Sequence, residues 1–122
     1  VDRRQRQMCI RDRYMTPEHN IQNRIRAALS PYAVIFRANV GSAYTQDGRY
    51  FSTGLPKGFP DLFGFRRSDG KMIFIEVKTP KGRIRPEQEE FIRNITACGA
   101  IAGVCRSPED ALRLIGAGEN NG

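Results

Sequence analysis

The chain has 122 residues, enough for one domain with a single hydrophobic core, and 39% of them are hydrophobic. No apolar run approaches the roughly 18 residues needed to cross a bilayer, and no apolar stretch of signal-peptide type follows the charged start. The formal charge is +7, which favours a polyanionic partner, but five Arg and two Asp lie in the first 14 residues, leaving +4 on the rest.

Residues 3–12 follow neither a helical nor a strand period, so 1–14 is expected to be a non-native or disordered segment, with Met15 as the true start. Thr16-Pro17 then opens a helix, a hydroxyl cap with Pro at the first helical position, and Ile21, Ile25, Ala28 and Leu29 give it an apolar stripe that stops at Ser30-Pro31. Ala33 to Ala38 reads as a strand. Gly41 to Gly58 is a long loop or a hairpin through Gln46-Asp47-Gly48. Asp61 to Phe65 and Lys71 to Lys78 are strands joined by the turn signal Ser68-Asp69-Gly70. Pro86 opens a helix with Phe91, Ile92, Ile95 and Cys98 on one face and Gly99 at its end. Ala100 to Cys105 is a short strand, Ser107 caps a last helix carrying Ala111, Leu112, Leu114 and Ile115, and 117–122 is expected to be a flexible tail. The order implies an α/β domain over 15–116, a mixed sheet with helices packed on it. The odd set Cys9, Cys98 and Cys105 has no metal-ligand spacing and reads as reduced, mostly buried thiols of a cytoplasmic protein.

The chemistry concentrates on Met72-Ile73-Phe74-Ile75-Glu76-Val77-Lys78. The lack of alternation in this run predicts a strand buried on both faces, and Glu76 and Lys78, two apart, share one of them. Charges at the end of a buried strand cost desolvation unless they are engaged, although an ion pair at a frayed strand end would also account for them. Asp61 alters that balance. It lies eight residues before Asp69, and Lys78 lies eight after Gly70, so the hairpin carries Asp61, Glu76 and Lys78 to one sheet end. Two carboxylates held together call for a cation, and oxygen ligands suit Mg²⁺ or Mn²⁺. The single His and the scattered Cys residues argue against zinc.

Pro60-Asp61 followed by Glu76-Val77-Lys78 on a hairpin resembles the PD-(D/E)XK nuclease superfamily. The words Arg37-Ala38-Asn39-Val40-Gly41, Gly58-Phe59-Pro60-Asp61-Leu62, Glu76-Val77-Lys78-Thr79-Pro80, Arg85-Pro86-Glu87-Gln88 and Val104 to Leu112 narrow the resemblance to the VRR-NUC family over roughly residues 16–115. The resemblance implies a restriction-endonuclease-like αβββαβ core and a small bacterial or phage-type endonuclease that hydrolyses phosphodiester bonds. It implies Mg²⁺ or Mn²⁺ held by Asp61, Glu76 and the Val77 carbonyl, with Lys78 at the attacking water or the phosphate. Glu18 resembles a first-helix glutamate that junction-cutting relatives add to the metal site, and an acid in a first helical turn is also favoured by the dipole. Gln88 would support the site by hydrogen bonding. Gln22, one turn after Glu18, is either a partner of the site or polar flank.

Lys81, Arg83 and Arg85, with Arg66 and Arg67, could line a phosphate track, or a solvated charged loop; Asn39 joins the DNA-binding set. Tyr44, Tyr50 and Phe51 fit a core edge better than base stacking. The partner implied is DNA, branched DNA as the finer expectation, with a homodimer built on the 100–105 strand and the last helix. The competing reading is a catalytically silent DNA-binding or assembly module on the same fold.

Overall fold

The structure, a computed structural model, describes residues 16–38, 42–52 and 54–117, without the side chains of Ser42, Ala43, Tyr44 and Phe51. The expected N-terminal segment 1–14, Cys9, Asn39 and the tail from 118 onward lie outside the described residues, as do the side chains of Tyr44 and Phe51. Tyr50 is exposed.

In chain order the elements are α1 (Pro17–Leu29), β1 (Ala33–Arg37), β2 (Ser42–Tyr44), β3 (Tyr50–Ser52), β4 (Leu62–Arg66), β5 (Met72–Val77), α2 (Pro86–Ala97), β6 (Ile101–Cys105) and α3 (Pro108–Ile115). Local chemistry sets the ends. The Thr16 hydroxyl accepts from the His19 N–H at 3.1 Å and the Ser107 hydroxyl from the Asp110 N–H at 3.1 Å, each ahead of a Pro. Gly99 and Gly116, with φ of 104° and 77°, take the left-handed conformation that stops α2 and α3. The 41–58 stretch, open between loop and hairpin in the sequence, contains the antiparallel pair β2–β3, closed by the Thr45 N–H on the Arg49 carbonyl at 2.7 Å.

The main sheet runs β1-β4-β5-β6, antiparallel except for the parallel β5–β6 pair. β5 is therefore central, which explains its unbroken apolar run: Ile73 to Lys78 are all buried, and only Met72 at its start is exposed. One face carries Ala33, Leu62, Ile73, Ile75, Val77 and Cys105. α1 covers it with Ile21, Ile25 and Leu29, and α3 with Ala111 and Ile115. Each large aliphatic side chain removed from water there contributes roughly 1.5–3 kcal/mol. The other face carries an aromatic row, Phe36 opposite Phe63 and Phe63 opposite Phe74, joined by Phe59 and by Phe91 of α2.

Two expectations need correction. Cys98 caps α2 and is exposed, because α2 is a surface helix with no fully buried residue; of the two described cysteines Cys105 fits the buried-thiol reading, and burial pushes its thiol up to about 12. Ala117, assigned to the tail, instead donates its N–H to the Leu112 carbonyl at 3.0 Å and packs on the core.

Candidate metal centre

Alternation along the hairpin decides which side chains meet. Glu76 follows Phe74 by two residues and Asp61 precedes Phe63 by two, and Phe63 and Phe74 are cross-strand partners. Both carboxylates therefore stand on the aromatic face, at the sheet end where β4 begins and β5 finishes. Lys78 continues the same alternation, and its Nζ lies 3.6 Å from Glu76 Oε2. α1 brings Glu18 to this end: carboxylate oxygens of Glu18, Asp61 and Glu76 lie within 4.8 Å of one another.

Each acid is held. Asp61 Oδ2 accepts the Val77 N–H at 2.9 Å, and the Asp61 carbonyl accepts the Ala38 N–H at 2.8 Å, so β4 and β5 are pinned at the site itself. Gln88 Nε2 donates to Glu76 Oε2 at 2.9 Å, while Gln88 Oε1 accepts the Arg85 N–H at 2.9 Å. The first turn of α2 thereby clamps Glu76. Gly58 lets the chain approach that turn: its φ is 93°, and a Cβ there would come within 2.8 Å of the Glu87 carbonyl oxygen.

Glu76 is 2% exposed, and its Oε1 is buried without a hydrogen-bond partner. Burial first, then the neighbouring Asp61 and Glu18 charges, push its carboxyl from 4.5 up to about 8, against the opposing pull of Lys78. Three converging carboxylates, one of them with a buried, unpartnered oxygen, fit a hard divalent cation, which would relieve the repulsion and offer that atom a partner. His19 lines the cleft, but the converging ligand set among the described residues is oxygen alone.

The metal-free protein should show this in its stability. Native Glu76 holds its proton up to about pH 8 and the unfolded chain only to about 4.5, so between these values the native state binds more protons. The stabilisation is complete below about 4.5 and is lost as pH rises towards 8. In EDTA the thermal midpoint should fall over this interval, and Glu76→Gln should reduce the fall. Parallel curves for parent and variant would contradict the assignment.

The acids open into a cleft of about 690 Å³ lined also by Gln22, Arg37, Lys57, Lys78, Arg85 and Gln88. Of the expected basic track, only Arg85 lines it. Lys81 and Arg83 are exposed on the loop after β5 and do not line the cleft. That loop is braced by Arg106, which donates to the Thr79 and Gly82 carbonyls at 2.6 and 2.7 Å. Arg66 and Arg67 do not join the site. They lie at the opposite end of β4, about 16 Å from Asp61 at the strand rise. Arg66 is taken by Asp69 at 2.6 Å and by the Ile115 carbonyl at 2.9 Å, and it holds the Asp69 carboxyl down to about 2; Arg67 donates to the Ser30 carbonyl at 3.2 Å.

Arg37, Lys57, His19 and Arg106 were not singled out from sequence. Arg37 ends β1 opposite Leu62 and Lys57 immediately precedes Gly58, so position relative to Asp61 was the available signal for both. Arg106 lies within the Val104 to Leu112 word of the family resemblance, but its bracing role has no local signal, since its two acceptors lie more than 20 residues away.

A VRR-NUC domain model matches residues 17–109, most of the chain. A solved structure titled "VRR_NUC domain" superposes with a TM-score of 0.59 at 22% identity, over 85% of this chain and 99% of that one, which is a likeness of fold. No curated protein matches. Among the described residues, no helix is long and apolar enough to cross a membrane. The chain belongs to the VRR-NUC family, whose domain is of nuclease type.

Proposed function

We propose that this protein is an Mg²⁺- or Mn²⁺-dependent endonuclease that hydrolyses DNA phosphodiester bonds and prefers branched DNA. The observation that carries the reading is the convergence of Glu18, Asp61 and Glu76 within 4.8 Å beside Lys78, with a buried Glu76 oxygen left over.

Asp61, Glu76 and Glu18 would hold the cation. The Val77 carbonyl would join them: in an extended strand a residue's N–H and C=O point the same lateral way, and the Val77 N–H points at Asp61. A bound divalent ion supplies Lewis acidity to a phosphoryl oxygen and lowers the pKa of bound water. Gln88 orients Glu76 by donating to one of its oxygens. Lys78 presents a point charge at the cleft, where it stabilises negative charge growing on the phosphate. Arg37, Lys57 and Arg85 line the same cleft and would position the DNA backbone, with the exposed Lys81 and Arg83 extending that contact along the loop. Asn39, which follows Arg37 by two residues in the sequence, would be a further DNA contact. A homodimer would set two such sites on two strands, and β6, an edge strand with α3 beside it, offers a shared edge.

The test is cleavage of supercoiled plasmid and of a four-way junction with Mg²⁺, with Mn²⁺ and with EDTA. Cleavage is expected with either metal and should vanish in EDTA, with the junction cut faster than linear duplex. Light scattering should give about twice the 13.8 kDa chain mass. DNA binding without cleavage under every metal would instead identify a silent module.

A further inference from the structure

We infer that Gln22 is a further oxygen donor of the cation site, holding the ion or a water bound to it; this rests on the metal-site reading above. Gln22 lies four residues after Glu18 on α1, so both project from the same helix face at successive turns, and both line the acidic cleft. It sits among the core residues Ile21, Ile25 and Leu29 and is only 5% exposed, a place where an apolar side chain would be expected.

Among the described residues, the buried side-chain oxygens without a hydrogen-bond partner are Gln22 Oε1 and Glu76 Oε1. Both belong to residues lining this one cleft. Buried polar atoms are nearly always satisfied, and an orphan is retained where something else satisfies it. Asp61 and Glu76 have their own clamps from Val77 and Gln88, and neither clamp reaches Gln22. A neutral amide oxygen is a suitable addition, because hard cations accept amide as well as carboxylate oxygens and a fourth carboxylate would add repulsion to a site already strained by three. α1 would therefore contribute two ligand positions to the site rather than one.

The experiment is a calorimetric titration of the full, DNA-free chain with Mn²⁺. Gln22→Met keeps the size and removes the oxygen, and should weaken Mn²⁺ binding about tenfold, the usual scale for such partners, while melting no lower than the parent in EDTA. Gln22→Glu puts an oxygen back together with a charge: it should bind Mn²⁺ at least as tightly as the parent and, from the added repulsion, melt lower than the parent in EDTA. Asp61→Asn is the control. If it loses Mn²⁺ while Gln22→Met binds like the parent, the site stands and this inference is overturned. If neither substitution changes binding, the metal-site reading fails with it. Should Gln22→Met not fold, Gln22→Glu decides alone: weaker binding than the parent overturns the assignment.

Discussion

Asp61→Asn and Glu76→Gln should each reduce metal-dependent cleavage by on the order of 10³ or more, the scale lost when stabilisation of transition-state charge is removed. Neither change should unfold the domain. Asn keeps an oxygen that can accept the Val77 N–H, and Gln keeps one that can accept from Gln88 Nε2. Asn removes a negative charge beside Glu76, and Gln replaces a carboxyl that burial otherwise forces to hold a proton, so the metal-free variants should melt at or above the parent. DNA binding should survive, because the proposed backbone contacts are made by Arg37, Lys57 and Arg85, which line the cleft beside the acids. Lys78→Ala should lose turnover more than affinity, since its charge counts most as negative charge grows on the phosphate. Steady-state cleavage and filter binding on the same preparations separate the two quantities. Metal-independent cutting by the Asp61→Asn, Glu76→Gln double variant would sink the proposal.

Gly64→Ala should be the most damaging single substitution outside the site. Gly64 lies in the middle of β4 between β1 and β5, and a Cβ there would sit 1.8 Å from the Val34 carbonyl oxygen. The obstacle is backbone, so no rotamer relieves it, and β1 must move off β4. A cost of roughly 3 kcal/mol is expected, at the upper end for overpacking, and a fall of about 10 °C in Tm. Gly70→Asn is the matched control: Gly70 has a φ of 75° but open space around it, and Asn tolerates that conformation. It should cost less than about 1 kcal/mol. Urea denaturation measures both, and a Gly64→Ala variant as stable as the parent would show that the β1–β4 pair yields where it is expected to hold.

Both predictions draw on features of different legibility. The convergence of Asp61, Glu76 and Lys78 could be read from the chain because an antiparallel hairpin couples positions equidistant from its turn, and a period of two assigns them a face. The same arithmetic places Arg66 and Arg67 at the turn end, so their exclusion from the site was already implicit in the hairpin that unites the acids. Gly64 gives no such signal, since its clash is with a strand 30 residues earlier.

By itself, then, the sequence determined the α/β element order, the buried central strand and the three charged residues at its end, because all of these follow from local periodicity and one turn. Only the tertiary structure decided what surrounds them. Packing of α1 on the aliphatic face brings Glu18 and Gln22 to the sheet end, docking of α2 against Gly58 aims Gln88 at Glu76, and the end of β1 adds Arg37. Helical spacing says which residues share a face, but not which sheet end that face will reach. That depends on contacts between segments far apart in the chain, whose relative placement no local pattern encodes.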